Sequence, residues 1–172
     1  MRPLLSLILL LALVLPAQAY DLMLRAAPAS VYFSPRGGAQ DALVQRIEQA
    51  RESIYVLAYS FTSEPIVAAL VRAHARGVHV EAVLDRGQRT ARGSQGGVLA
   101  ASGATVYIDA RHAIAQNKVM VIDGKTLVTG SFNFTKSAEE KNAENLLIVK
   151  SSELAKLYLE NWKIHREHSG ED

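Results

Sequence analysis

The stretch IAQNKVMVIDGKTLVTGSFNFT, residues 114–135, decides how this chain is read. It holds two apolar runs, KVMVID and TLVTGSFNF, joined by Asp123-Gly124. Asp-Gly between runs of this kind is a strong signal for a two-residue hairpin. Side chains along a strand alternate between its faces. Gln116 and Lys118 therefore share one side of the first strand. Ser131 and Asn133 share one side of the second, and Phe132 and Phe134 point the other way. With the strands paired, one face gathers an amide, an ammonium, a hydroxyl and a second amide beside Gly130. Such a set suits a phosphate: lysine as a point charge, serine and asparagine as neutral donors, glycine for close approach.

The flanking sequence supplies the rest of a layered fold. Residues 30–33 (SVYF) read as a short strand, and SPRGG as a turn. Residues 39–53 place Leu43, Ile47 and Ala50 on one helical face. Residues 54–61 (IYVLAYSF) form a continuous apolar run, the pattern of a strand buried on both faces. Thr62 and Ser63 offer N-caps, Pro65 suits a first helical turn, and Gly77 stops the helix over residues 66–76. VHVEAVLD and TVYID are further strands. Between them lie a basic, glycine-rich loop at residues 86–97, with Arg86, Arg89 and Arg92, and a short helix at 98–102. Residues 146–149 are expected to form another strand. A last helix over 153–168 aligns Leu154, Leu157, Tyr158 and Trp162. Strands alternating with helices predict an α/β fold with a mixed sheet and helical layers. No repeat or linker divides it, so residues 20–172 read as one domain.

Composition agrees with a folded core. Of 172 residues, 49% are apolar and 21% charged, ordinary shares for a globular chain. A net charge of +2 permits a polyanionic partner without requiring one. There is no cysteine, which excludes disulfides, a lipoprotein cysteine and thiolate metal sites. Residues 1–19 have the form of a secretory leader: Arg2, an apolar run from Leu4 to Leu15 interrupted by Ser6, Pro16, and the small residues of Ala17-Gln18-Ala19. Export to the periplasm or the medium is the expectation, with a mature chain starting at Tyr20.

The key stretch also resembles a known motif. The phospholipase D superfamily carries H-x-K-x(4)-D-x(6)-G-S-x-N. Here Lys118, Asp123, Gly130, Ser131 and Asn133 stand at those spacings, and TKSAEEKNAENLLIV downstream resembles the small secreted bacterial nucleases of the family. The resemblance implies the phospholipase D/nuclease fold with one motif copy per chain. It implies a histidine that attacks phosphorus, and a second histidine, from another motif copy, that protonates the leaving oxygen. No metal or other cofactor is required by that chemistry. With one copy per chain, it implies a homodimer with the site on the two-fold axis. Lys118, Ser131 and Asn133 are then phosphate ligands. Glu144 resembles the family acid that orients the histidine. Asp123 belongs to the motif, although Asp-Gly is also plain hairpin chemistry.

The departure is Gln116, which stands where the family histidine belongs. A glutamine amide does not titrate near neutral pH and is a very poor nucleophile. None of the five histidines, His74, His79, His112, His165 and His168, has a lysine two residues on. His112 lies four residues before Gln116, outside the motif's geometry. An engineered change, a natural loss of activity and a single-base change would all leave this sequence. Three functions stay open: a metal-independent endonuclease acting on DNA or RNA and silenced at residue 116, a phospholipase D acting on phosphatidyl lipids, and a non-catalytic module holding nucleic acid or anionic lipid. The arginines at 86–92 suit either a nucleic-acid backbone or lipid headgroups, or form a solvated loop. Trp162 and Tyr158 read as packing residues rather than base-stacking platforms.

Overall fold

The computed structural model describes residues 19–171. The expected leader lies outside that range except for Ala19. Among the described residues, no helix is long and apolar enough to cross a membrane.

Eight strands form one mixed sheet in the order β1-β7-β6-β5-β2-β3-β4-β8. Its parallel half is β2 (Ser53–Ala58), β3 (His79–Asp85) and β4 (Thr105–Asp109). Parallel neighbours need crossovers; α2 (Glu64–Ala75) and α3 (Gly96–Ala101) lie on them. The antiparallel half runs from β5 (Lys118–Ile122) through β6 (Thr126–Gly130) and β7 (Glu144–Lys150) to β1 (Ala29–Ser34) at the edge. A two-residue strand, β8 (Gly170–Glu171), covers the other edge beside β4.

Alternation along the strands builds two cores. Ile54, Val56 and Ala58 of β2, Val80, Ala82 and Leu84 of β3, and Met120 and Ile122 of β5 face α2, α3 and α1 (Ala39–Gln49). Leu57, Val83, Val119, Val121 and Leu127 face α5 (Ser152–Glu167). A strand buried on both sides loses its polar alternation, which is why IYVLA reads as an unbroken apolar run. Trp162 anchors α5: it is buried, and its indole Nε1 donates to the Val56 carbonyl at 2.7 Å. Trp162 and its partly buried neighbour Tyr158 are thus packing residues. A short helix, α4 (Lys136–Glu140), is capped by the Thr135 hydroxyl, which accepts from the Ala138 amide.

Four local expectations change. The β2 strand ends at Ala58, so Tyr59 leaves the sheet while its amide still donates to the Asn117 carbonyl at 2.8 Å. Ser63 precedes α2, but its hydroxyl donates to Gln40 Oε1 at 2.7 Å instead of capping the helix. The 86–97 segment is not a loose loop. Residues Arg86–Arg89 form a 3-10 turn capped by Asp85, and buried Gln88 accepts from the Phe61 amide. Finally, the hairpin has three loop residues rather than two. Asp123 and Gly124 both take positive φ, 54° and 59°, and Lys125 donates to the Ile122 carbonyl before Thr126 pairs with Ile122.

Candidate active site

The register puts one set of residues at one end of the sheet. Ala58 pairs with Lys118, so the carboxyl end of β2 meets the start of β5. The antiparallel order then brings the end of β6 and the start of β7 to the same place. Gln116, Lys118, Ser131, Asn133 and Glu144 all lie at this end. It is also the carboxyl end of the parallel strands, where open α/β sheets hold their ligands.

Lys118 is the centre of charge. Its Nζ donates to the Gln116 carbonyl at 3.0 Å and lies 5.2 Å from the centre of the Tyr59 ring. Burial pulls the ammonium below its usual range, and the negative charge of Glu144 pulls it back up. A partly desolvated cation exerts a stronger field than one in water. Glu144 opens β7. Its backbone amide donates to the Ser34 hydroxyl at 3.2 Å, and its carboxylate accepts from Asn142 Nδ2 at 3.2 Å.

Ser131 and Asn133 are placed by an irregularity, and here strand alternation by itself misleads. Met120 pairs with Val128, and continuing that register sets Lys118 opposite Gly130, not Ser131. The strand breaks at Gly130. Both the Ser131 and Phe132 amides donate to the one Asn145 carbonyl, each at 3.1 Å, two residues opposing one as in a bulge. Gly130 makes this approach possible: its φ is +149°, and a Cβ there would run into the Asn145 carbonyl oxygen. The Ser131 hydroxyl accepts from the Asn145 amide at 3.0 Å and from its side chain at 3.3 Å. Phe132 and Phe134 are fully buried with Phe61, and Phe134 bridges to Phe61. Burying such a ring contributes roughly 1.5–3 kcal/mol, so the aromatics hold the segment that carries Ser131 and Asn133. Asn133 Oδ1 is buried without a hydrogen-bond partner among the described residues.

Asp123 is elsewhere. It lies five residues past Lys118 along β5, about 16 Å at ~3.3 Å per residue, at the opposite end of the sheet. Its carboxylate accepts from the Arg51, Glu52 and Ser53 amides at 2.8–3.2 Å and ties the hairpin to the turn before β2. Its place is structural, and the motif spacing alone grouped it with the site. Asp123→Ala is expected to lower stability by on the order of 1–2 kcal/mol, a figure reduced for partial exposure, without altering any phosphodiesterase rate. Urea denaturation beside a rate assay checks both halves.

His112 is held beside the end of β4, three strands from β5 in the sheet order. Its ring Nδ1 hydrogen-bonds Asp109 Oδ2 at 2.8 Å, beside β4. Tyr59, Ser34 and Asn145 were not legible as site residues. Tyr59 sat inside an apolar run, and the other two act through backbone pairings that only the sheet order creates. Concavities of about 260 Å³ and 280 Å³ lie under the Asp123 turn and between Tyr55, Glu81 and Trp162; neither is lined by Lys118.

A mixed sheet between helical layers gathers lysine, serine, asparagine and glutamate at one end, a set whose donors suit a phosphate. The family described as "Cardiolipin synthase, PLD-like domain" matches residues 43–164. "Phospholipase D" of Rickettsia bellii is 42% identical over 141 residues, 82% of this chain and 70% of that protein. "Mitochondrial cardiolipin hydrolase" of Mus musculus is 33% identical over 121 residues, 70% of this chain and 55% of that protein. The chain thus spans only part of these relatives. Among solved structures, the phospholipase D family member Nuc from Salmonella typhimurium superposes with a TM-score of 0.81 at 38% identity, covering 85% of this chain and 98% of that one. NucT from Helicobacter pylori gives 0.79 at 26% identity, covering 85% and 99%. The chain belongs to the phospholipase D superfamily and has its fold. By family it is a phosphodiester hydrolase.

Proposed function

We propose that the chain is the scaffold of a metal-independent nuclease whose working site forms between two copies, and that Gln116 silences it. The observation that carries this reading is Lys118. It is a partly buried ammonium in the field of Glu144, at the sheet end that also holds Ser131, Asn133 and Gln116. With histidine at 116, Nε2 would attack phosphorus, forming P–N as the P–O bond to the leaving group breaks. The partner copy's residue 116 would protonate that oxygen, and water would then cleave the P–N bond. Lys118, Ser131 and Asn133 would hold the phosphate, and Glu144 would orient the ring.

One feature supports a partner copy: Gln116 and Ser131 are exposed, so the site is open in one chain. Nucleic acid as substrate is supported by the resemblance to small bacterial nucleases. Exposed Arg86, Arg89 and Arg92 also leave β3 at the same sheet end, on a segment that Gln88 holds in place. The relatives named for phospholipase D and cardiolipin hydrolysis favour a lipid phosphodiester as the second reading.

The test uses Gln116→His with EDTA present, on plasmid DNA and on phosphatidylcholine and cardiolipin vesicles, with the solution mass measured by light scattering. Plasmid cleavage by a dimer supports the proposal. Lipid hydrolysis with intact plasmid moves the assignment to the second reading. A strictly monomeric enzyme that still cleaves overturns the shared site. Salt-sensitive DNA binding without turnover in either form leaves a binding module.

A further inference from the structure

Three histidines of this chain converge on one buried carboxylate, away from the phosphate site. Asp109, fully buried, ends β4. His112 Nδ1 and His165 Nδ1 approach its Oδ2 at 2.8 and 2.7 Å, and His168 Nε2 approaches Oδ1 at 3.4 Å. The rings lie tilted against one another with centres 4.8–5.6 Å apart. One ligand atom from each of the four residues can be chosen so that all lie within 4.8 Å of one another. We propose that Asp109, His112, His165 and His168 form a tetrahedral site for a zinc-type divalent cation that fastens the β4–β5 segment to the end of α5.

The chemistry of the set fits. Imidazole and carboxylate are zinc ligands, and four protein ligands close the site as structural zinc sites do. Ligand atoms at ~2.0–2.1 Å from one zinc stand about 3.3 Å apart in a tetrahedron. The observed separations bracket that figure, so small ring movements would suffice. The His168 ring leaves a buried nitrogen, Nε2, without a hydrogen bond. A cation at the centre of the four residues would take up that nitrogen as a ligand.

The geometry also gives the cation something to hold. His165 and His168 sit three apart at the end of α5, so both reach one side. Asp109 Oδ1 accepts from the Arg111 and His112 amides, which folds the segment back onto β4. Downstream, the Ala115 amide donates to Asp85 Oδ2 at 2.7 Å, and Gln116 follows directly. The cation would therefore fix the segment that delivers position 116 to the phosphate site. It would take no part in hydrolysis.

The test uses the untagged chain, stripped in EDTA and then dialysed against zinc or cobalt. About one zinc per chain by mass spectrometry is expected, with the intense visible bands of tetrahedral cobalt. A melting temperature higher by on the order of 5 °C is expected at a hundredfold excess over Kd. His112→Gln combined with His168→Gln should abolish all three signals while keeping the parent's circular dichroism in EDTA. The proposal is overturned if the parent retains no metal and does not shift. It is also overturned if the double variant binds as the parent does. Should the double variant fail to fold, the parent's cobalt spectrum decides alone: octahedral or absent bands overturn the site.

Discussion

Gln116→His is expected to raise plasmid cleavage in EDTA by a factor on the order of 10⁶ over the chain as it stands. That is the scale lost when an enzyme's nucleophile is removed. The reason lies in one atom. The glutamine amide offers a donor and an acceptor but no basic nitrogen, so neither a P–N intermediate nor a proton for the leaving oxygen is available. The rest of the site stands. Lys118 is anchored between the Gln116 carbonyl and the Tyr59 ring, and Ser131 is held by Asn145. A substitution at an exposed position need not disturb either. Parent and variant, purified in parallel, are compared in a nicking assay. Equal rates in the two would sink the assignment of position 116.

In that restored background, Lys118→Met is expected to cost about 10³ in kcat/KM, the scale seen when one preorganised donor to a developing oxyanion is lost. Methionine keeps most of the apolar stem, so packing against Tyr59 should persist and the melting temperature should hold. What disappears is a cation whose field is strengthened by burial, beside Glu144. Lys118→Arg retains charge on a broader, planar head, and a rate between those of lysine and methionine is expected. If Lys118→Met cuts as fast as its parent while folding normally, the phosphate role assigned to Lys118 fails.

Much of this architecture could be read along the chain, for identifiable reasons. Helices α1 and α5 announce themselves through Leu43 and Ile47, and through Leu154, Tyr158 and Trp162, because burying one stripe at a 3.6-residue period dictates which positions are apolar. The doubly buried β2 shows as an unbroken apolar run for the same reason. Less was legible at the site. Lys118, Ser131 and Asn133 were found through motif spacing and Glu144 through its resemblance to the family acid, and neither says anything about direction. The parity argument that grouped Lys118 with Ser131 assumed a regular strand through residue 134, whereas β6 stops at Gly130 and both following amides share one carbonyl. Asp123 was drawn into the site by the same spacing, although five strand residues carry it to the far end.

The sequence by itself determined the layers, the hairpin, the family and the missing histidine. Each of those is local, written in periodicity, in turn residues or in the identity of one residue. Tertiary structure alone decided which strand ends meet, that Tyr59 and Asn145 stand beside Lys118 and Ser131, and that Asp123 does not. It also brought His112, His165 and His168, more than fifty residues apart at their widest, around Asp109. Those relations depend on the non-consecutive order of the strands and on where α5 ends against β4. That order is set by burying both faces of one sheet at once, a condition no short stretch of chain can express.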